Sequence, residues 1–138
     1  MSERTLCVIK PNAVEANNVG AIIAMLESAG LRVVALRMTR LSAPLVEAFY
    51  AEHVGKPFFE GLKQFMVSGR VVAMVLEGDN AIARCREVMG ATNPEKAAEG
   101  TIRKKFALDM TRNAVHGSDS PASAEREIAF YFDRFSTL

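Results

Sequence analysis

The chain has 138 residues and a formal net charge of +1, with 49% apolar and 24% charged residues. These values are typical of a globular protein, and the length predicts a single domain over residues 1–138. The near-zero net charge argues against a nucleic-acid or membrane surface. Because the N-terminus lacks a signal-peptide pattern and no apolar run reaches membrane-spanning length, we expect a cytoplasmic location. Cys7 and Cys85 lie within apolar segments, which predicts buried, reduced thiols.

Strands and helices are predicted along the whole chain. Short apolar runs bounded by Pro, Gly or polar residues predict four strands, over 5–9, 31–41, 71–76 and 114–116. Apolar residues at helical spacing, with capping residues at the ends, predict five helices, over 19–26, 42–49, 58–66, 80–89 and 121–135. The last helix is expected to bury Ala124, Ile128, Tyr131, Phe132 and Phe135.

This order of elements predicts an α+β ferredoxin-like sandwich, in which helices packed on one face cover a four-stranded antiparallel sheet. A doubly wound parallel sheet is the alternative, and it is less favoured because the strands are few and no Gly-rich loop follows the first one. The arginines of strand 31–41 indicate an exposed end or edge. Residues 90–112 show no clear periodicity, and an irregular segment of that length is usually functional or part of an assembly contact.

His116 is the strongest candidate for chemistry, and it is one of only two histidines in the chain. An apolar pair precedes it, and Gly117 and the helix start Ser120-Pro121 follow, so we expect the ring where a strand gives way to a helix. Histidine changes its charge near neutral pH and can act as a covalent nucleophile. Taken alone, however, a single histidine is more often a structural residue in a polar turn.

Cationic residues stand at several predicted element ends and in the long irregular segment. Any one of them would usually be solvated. A histidine nucleophile with lysine and arginine side chains to neutralise charge is nevertheless the set that phosphoryl transfer requires. The P-loop pattern and the kinase Gly-rich loop are both missing, so a nucleotide must be held in another way. The candidate cations are Lys10, Arg86, Arg103 and Arg112, and the candidate neutral donors are Thr92, Asn113 and Ser118.

The segment Asn113-Ala114-Val115-His116-Gly117-Ser118-Asp119-Ser120 resembles the active-site signature N-x-x-H-G-S-D-S of nucleoside diphosphate kinases, with agreement at all six fixed positions. Four further segments agree with that family in order, within residues 4–11, 56–62, 72–78 and 90–103. The resemblance covers nearly the whole chain. It implies ping-pong transfer of a γ-phosphate from a nucleoside triphosphate to a nucleoside diphosphate.

The resemblance also implies a catalytic group around the histidine. His116 would be the residue that is phosphorylated, and Tyr50 would lie beside it. Glu127, in the last helix, would orient the imidazole, with Ser118 as a candidate intermediary. As a bare sequence feature, Glu127 is more often a solvated helix residue.

A second implied group would hold the nucleotide. Lys10 would reach the phosphates and the ribose hydroxyl, Asn113 would hold the sugar, and Phe58 would stack on the base. The phosphates would also be bound by Arg86, Thr92 and Arg103. Base stacking without groups that read the base edge implies broad base specificity. The cofactor Mg²⁺ would be carried by the nucleotide phosphates, with no protein side chain as a metal ligand.

The sequence departs from the family pattern at several positions outside the catalytic group. Arg70 and Glu99 stand where the family commonly has proline, and Lys104 and Lys105 replace a small residue and an acidic one. Met110 replaces an aliphatic residue that commonly faces the base. These departures leave loop conformation, base-site shape and subunit contacts open.

The resemblance and the candidate edge strand 31–41 imply a homo-oligomer built from dimers, either a tetramer or a hexamer. Like charges at Lys104 and Lys105 would repel across a three-fold contact, which slightly favours a tetramer. Two other classes remain open: an interaction module without activity, and a nucleic-acid-binding protein that uses residues 103–105 and Arg112. The near-zero net charge argues against the second.

Overall fold

The computed structural model describes residues 2–137 and contains one four-stranded sheet. The strands are β1 (Ser2–Ile9), β2 (Arg32–Arg40), β3 (Arg70–Asp79) and β4 (Val115–Gly117), in the spatial order β2-β3-β1-β4. Each neighbouring pair is antiparallel. The predicted α+β fold with a four-stranded antiparallel sheet is therefore confirmed, and β2 is an edge strand as its arginines indicated.

Seven α-helices are present in the described residues, and several begin at the residues that the sequence marks as caps. Ser42 and Ser120 accept hydrogen bonds from the backbone N–H groups of Leu45 and Ser123, and a proline lies in the first turn of each helix. The helices are α1 (Pro11–Glu15), α2 (Val19–Ser28), α3 (Ala43–Phe49), α4 (Phe59–Val67), α5 (Ala81–Met89), α6 (Ile102–Phe106) and α7 (Pro121–Tyr131). No helix in the described range is long and apolar enough to cross a membrane.

Helices cover both faces of the sheet, so the prediction that they pack on one face is wrong. Successive residues of a strand point to opposite faces, and in β1 the side chains on both faces are buried. Cys7 and Ile9 join a core with α2 and α5, whereas Leu6 and Val8 join a second core with α3, α4 and α7. Cys7 and Cys85 are buried free thiols, as predicted.

The long segment 90–112 is more regular than its sequence pattern indicated. It contains a 3-10 turn at Pro94–Lys96 and the short helix α6, where Thr101 caps the first turn by accepting a hydrogen bond from the Lys104 N–H. A helix of one and a half turns is too short to show a recognisable apolar period. Lys104 and Lys105, two of the departures from the family pattern, are exposed on this helix.

The last helix is shorter than predicted. Helix α7 ends at Tyr131, and Phe132 already has extended backbone angles. Ala124, Tyr131 and Phe132 are buried as expected, but Phe135 is 84% exposed and lies in a separate 3-10 turn. The apolar spacing continues past the end of the helix, and this is why the pattern misplaced Phe135.

Candidate active site

A cavity of about 330 Å³ opens where β1 and β4 end and is closed by α3, α5 and the segment 90–112. Of the residues predicted to act, all but Ser118 and Arg112 line this cavity; Ser118 is buried and donates a hydrogen bond to Glu127. Arg112, the fourth candidate cation, instead forms an ion pair with Asp109. The structure therefore brings together the residues Lys10, Tyr50, Phe58, Arg86, Thr92, Arg103, Asn113, His116 and Glu127.

The imidazole of His116 is held by a carboxylate. Strand β4 carries His116 opposite Val8 of β1, and its Nε2 lies 2.8 Å from Oε1 of Glu127. The same oxygen accepts a hydrogen bond of 2.8 Å from the Ser118 hydroxyl. Burial opposes ionisation of Glu127, but the hydrogen bonds from His116 and Ser118 outweigh it, so the pKa of Glu127 lies below its ordinary value. When the imidazole is neutral, an ionised Glu127 holds its one proton on Nε2, which leaves the lone pair on Nδ1.

Lys10 lies at the junction of β1 and α1, where Pro11 ends the strand. It is only 6% exposed, and its backbone N–H donates to the carbonyl of Ala114. Burial, together with the nearby charge of Arg103, lowers the pKa of Lys10 from its ordinary value of 10.5 to about 7. A bound anion favours the charged form of such an amine, so Lys10 can gain a proton when an anion binds beside it.

Arg103 is held in place by two backbone carbonyl groups. Its Nη1 donates to the carbonyl of Gly90 and its Nη2 to that of Val115, at 3.1 and 2.9 Å. Burial, and then the charge of Arg86, lowers the pKa of Arg103 to about 10, so the guanidinium stays charged near neutral pH. Its Nε is buried and has no partner among the described residues. The site thus holds a positioned cation with an unused donor.

The remaining polar side chains lie around the same cavity. Arg86, on α5, donates from Nη1 to the carbonyl of Gly117 at 3.2 Å. Asn113 donates from Nδ2 to the carbonyl of Met110, and its Oδ1 is buried without a partner in the described structure. Ala114, between Asn113 and β4, has a φ of 76°, an unfavourable value for alanine. Strained backbone of this kind is concentrated at functional sites.

Aromatic side chains form one wall of the cavity. The Tyr50 ring lies 6.1 Å from that of His116 and nearly perpendicular to it, and burial raises the pKa of its hydroxyl above the ordinary value. Phe58 is 51% exposed and lies at the mouth. Met110, one of the departures from the family pattern, is exposed in the lining.

Sequence reasoning missed several lining residues, among them Phe49, His53, Asp119 and Arg126. The Phe49 ring contacts His116 edge-on at 5.3 Å, and Arg126 lies 3.5 Å from the second oxygen of Glu127. An aromatic residue at helical spacing is usually part of a core, and an exposed helical arginine is usually solvated, so neither gave a signal. Asp119 lies inside the quoted signature and could have been included from it.

The other departures lie away from the reacting groups. Arg70 begins β3 directly opposite Arg40 of β2, and Glu99 is exposed. Nothing in the structure explains why arginine replaces proline at position 70.

No three His, Cys, Asp or Glu side chains within residues 2–137 are placed to hold a metal ion.

Known proteins are similar to this chain in sequence and structure. The family model for nucleoside diphosphate kinase matches residues 3–137. The nucleoside diphosphate kinase of Aquifex aeolicus is 42% identical, with a TM-score of 0.96 over 100% of both chains. A halophilic nucleoside diphosphate kinase from Halobacterium salinarum in complex with CDP is also 42% identical, with a TM-score of 0.96 over 100% of this chain and 92% of that one. The chain therefore belongs to the nucleoside diphosphate kinase family and is an enzyme of nucleotide phosphate transfer.

Proposed function

We propose that the chain transfers the γ-phosphate of a nucleoside triphosphate to a nucleoside diphosphate through a phosphohistidine at His116. The observation that carries this proposal is the contact of His116 Nε2 with Glu127 inside a cavity lined by cations. With Nε2 protonated, Nδ1 keeps the lone pair that a nucleophile needs.

In the first half-reaction, Nδ1 of His116 attacks the γ-phosphorus. A nitrogen–phosphorus bond forms, the bond to the β–γ bridging oxygen breaks, and the diphosphate leaves with that electron pair. The imidazole becomes cationic, and the buried carboxylate of Glu127 stabilises it through the Nε2 proton. In the second half-reaction, a bound diphosphate attacks the phosphohistidine and the bonds exchange in reverse, which gives ping-pong kinetics.

Lys10, Arg86 and Arg103 would neutralise the phosphates, since charge stabilisation is the main task of a phosphoryl-transfer site. Thr92, exposed in the cavity lining, would add a neutral donor. The unpartnered Nε of Arg103 and Oδ1 of Asn113 support a polar ligand here, because buried polar atoms normally have partners.

The base would stack on Phe58, and Lys10 and Asn113 would hold the ribose. Phe58 and Met110 offer apolar surface at the mouth rather than hydrogen bonds to a base edge, which supports broad base specificity. The CDP complex of the halobacterial relative supports a nucleotide as the ligand.

Mg²⁺ would arrive with the nucleotide. The cavity lining offers several cationic side chains and the Asn113 amide to phosphate oxygens, and this donor set fits a metal that is held by phosphate and water. When bound, the ion would neutralise phosphate charge.

We further propose a cytoplasmic homo-oligomer built from dimers through the exposed edge strand β2.

The test is transfer from γ-labelled ATP to unlabelled CDP. We expect labelled CTP and, when both substrate concentrations are varied, parallel double-reciprocal plots, which are diagnostic of a ping-pong cycle. Intersecting plots would contradict the covalent intermediate, and a lack of any transfer would favour an interaction module without activity.

A further inference from the structure

Three buried sulfur atoms lie close together behind the wall of the cavity, and the proposed chemistry uses none of them. Cys7 on β1, and Cys85 and Met89 on α5, belong to the same hydrophobic core, and both cysteines are free thiols. The Cys85 thiol donates to Sδ of Met89 at 3.8 Å and is also a hydrogen-bonding neighbour of Cys7. These side chains form a sulfur cluster of two thiols and one thioether.

Gly117 makes room for the sulfur cluster. Cys7 pairs with Gly117 across β1 and β4, and residues directly opposite each other in an antiparallel pair project on the same face of the sheet. A Cβ at Gly117 would lie 2.5 Å from Sδ of Met89 and 3.5 Å from Sγ of Cys85. Sulfur therefore occupies the space that a side chain at position 117 would fill, next to the side chain of Cys7.

The spacing of the sulfur atoms suits one soft metal ion. Sulfur ligands bind metals at about 2.3 Å, so two sulfurs 3.8 Å apart make an angle of about 110° at a shared ion. Thiolate and thioether ligands together select Cu(I). Zn²⁺ instead takes its ligands from cysteine, histidine and carboxylate side chains, and Mg²⁺ and Ca²⁺ require oxygen.

Arg103 offers a counter-charge for an ion bound in this way. Its guanidinium interacts electrostatically with both Cys7 and Cys85. A thiol loses its proton when it binds a metal, so one monovalent ion on two thiolates leaves a net charge of −1. The neighbouring guanidinium would balance that charge within the core.

The sulfur cluster and the nucleotide cavity share a wall. Gly117, Arg86 and Arg103 line the cavity, and Cys85 directly precedes Arg86 in α5. The backbone of Gly117 thus has the cavity on one side and the sulfur cluster on the other. A change of charge or position at the sulfurs is therefore felt by the cations that face the cavity.

We propose that Cys7, Cys85 and Met89 form a site for one Cu(I) ion, and that the occupied site weakens nucleotide binding. The ion binds two thiolates and one thioether, and the two thiol protons pass to solvent. The negative complex then competes with phosphate for the charge of Arg103. This second step rests on the proposed function, in which Arg103 binds the phosphates, whereas the site itself does not depend on it.

The first experiment measures copper binding without an activity assay. Under anaerobic, reducing conditions the protein competes with bicinchoninate for Cu(I), and the absorbance of the chelator complex reports the copper that the protein takes up. We expect one Cu(I) per chain and, by X-ray absorption, sulfur as the only donor at about 2.3 Å. A lack of uptake would overturn the site, and so would nitrogen donors, which would assign the ion to a histidine.

Four variants locate the ion. Cys7→Ala and Cys85→Ala should each lose tight Cu(I) binding, with circular dichroism to verify that they are folded. Met89→Leu keeps the size of a core side chain and should weaken Cu(I) binding on the order of 10-fold. The matched control is Met66→Leu, the same change in the core on the opposite face of the sheet, which should bind like the wild type.

Wild-type Cu(I) affinity in either cysteine variant would overturn the site. Equal affinities in Met89→Leu and Met66→Leu would overturn the assignment of the thioether, and this comparison does not depend on the smaller core residues being tolerated.

Calorimetry of ADP binding tests the effect on the nucleotide. Cu(I)-loaded wild type should bind ADP about 10-fold more weakly than the metal-free protein, whereas Cys85→Ala treated with the same copper should be unaffected. Unchanged affinity in the loaded wild type, or equal weakening in Cys85→Ala, would overturn the link between the sulfur cluster and the cavity. Metal-free wild type that does not bind ADP would instead contradict the proposed function.

Discussion

Oε1 of Glu127 lies 2.8 Å from Nε2 of His116, and the carboxylate that makes this contact is almost fully buried. A buried charge is poorly screened, so the contact controls both the tautomer and the orientation of the ring. The second hydrogen bond to this oxygen, from Ser118, holds the carboxylate in place. In our account this relationship decides which nitrogen of His116 receives the phosphate.

Replacing Glu127 with Gln should keep the shape of the site but remove the charge that stabilises the imidazolium. We expect kcat to fall on the order of 10²-fold, with little change in nucleotide affinity, in steady-state transfer assays. The matched control is Glu125→Gln, an exposed carboxylate on the same helix, which should retain wild-type kcat. A normal kcat in Glu127→Gln would show that the carboxylate does not act on the reacting ring.

Nucleotide binding at pH 8 should be accompanied by proton uptake at Lys10. With a pKa of about 7, the Lys10 amine is mostly neutral at pH 8 in the free protein. A bound polyphosphate favours the charged form and raises this pKa, so about one proton is taken up per nucleotide. Calorimetry of ADP binding in buffers of different ionisation enthalpy measures this number. Lys10→Met should lose the uptake, and equal uptake by the two proteins would assign the proton to another group.

Gly90 and Gly100 provide a matched pair, because both have a φ of +87°. A Cβ at Gly90 would lie 2.5 Å from Oγ1 and 2.7 Å from Cβ of Thr101, the residue that caps α6, whereas a Cβ at Gly100 would meet open space. Replacement by alanine should lower the free energy of unfolding by about 1 kcal/mol at Gly100 and by about 2–3 kcal/mol at Gly90.

The carbonyl of Gly90 also accepts a hydrogen bond from Arg103, so Gly90→Ala should weaken nucleotide binding whereas Gly100→Ala should not. Urea denaturation and ADP titration measure the two effects. Equal losses of stability in both variants would mean that Thr101 moves aside without cost.

Much of the fold could be predicted because short stretches of sequence indicate where strands lie and where helices begin. The edge position of β2 follows from its arginines, and the starts of α3 and α7 follow from Ser-Pro signals. The apolar run Leu6–Ile9 of β1 indicates a strand covered on both faces, yet the fold prediction placed the helices on one face only. The end of α7 was missed because Phe135 keeps the helical spacing after the backbone has become extended at Phe132.

The site was predictable only where a motif specifies it. The signature around His116 identified the group that converges in the cavity, through a resemblance rather than through periodicity. The depressed pKa of Lys10 and the ring contacts of Phe49 and His53 could not be predicted, because they depend on which side chains the fold brings together. Burial and ring geometry are tertiary properties.

The proposed dimer places the edge of β2 in a subunit contact, and Leu36 and Met38 on that strand are 55% and 53% exposed. Leu36→Glu should therefore lower the mass of the particle in solution, measured by light scattering. The control is Leu45→Glu on α3, which is similarly exposed and should leave the mass unchanged. A wild-type monomer at both low and high salt would contradict the assembly, and a hexamer insensitive to salt would contradict the preference for a tetramer.

The chemical stability of the phosphorylated protein distinguishes a phosphohistidine from a phosphorylated hydroxyl group. After incubation with γ-labelled ATP and removal of nucleotide, we predict about one label per chain, stable in alkali and lost in acid, as expected of a phosphohistidine. The label should be absent from His116→Ala and present in His53→Ala, which removes the other histidine. Label that persists in His116→Ala, or that survives acid as a phosphoserine does, would contradict transfer through His116.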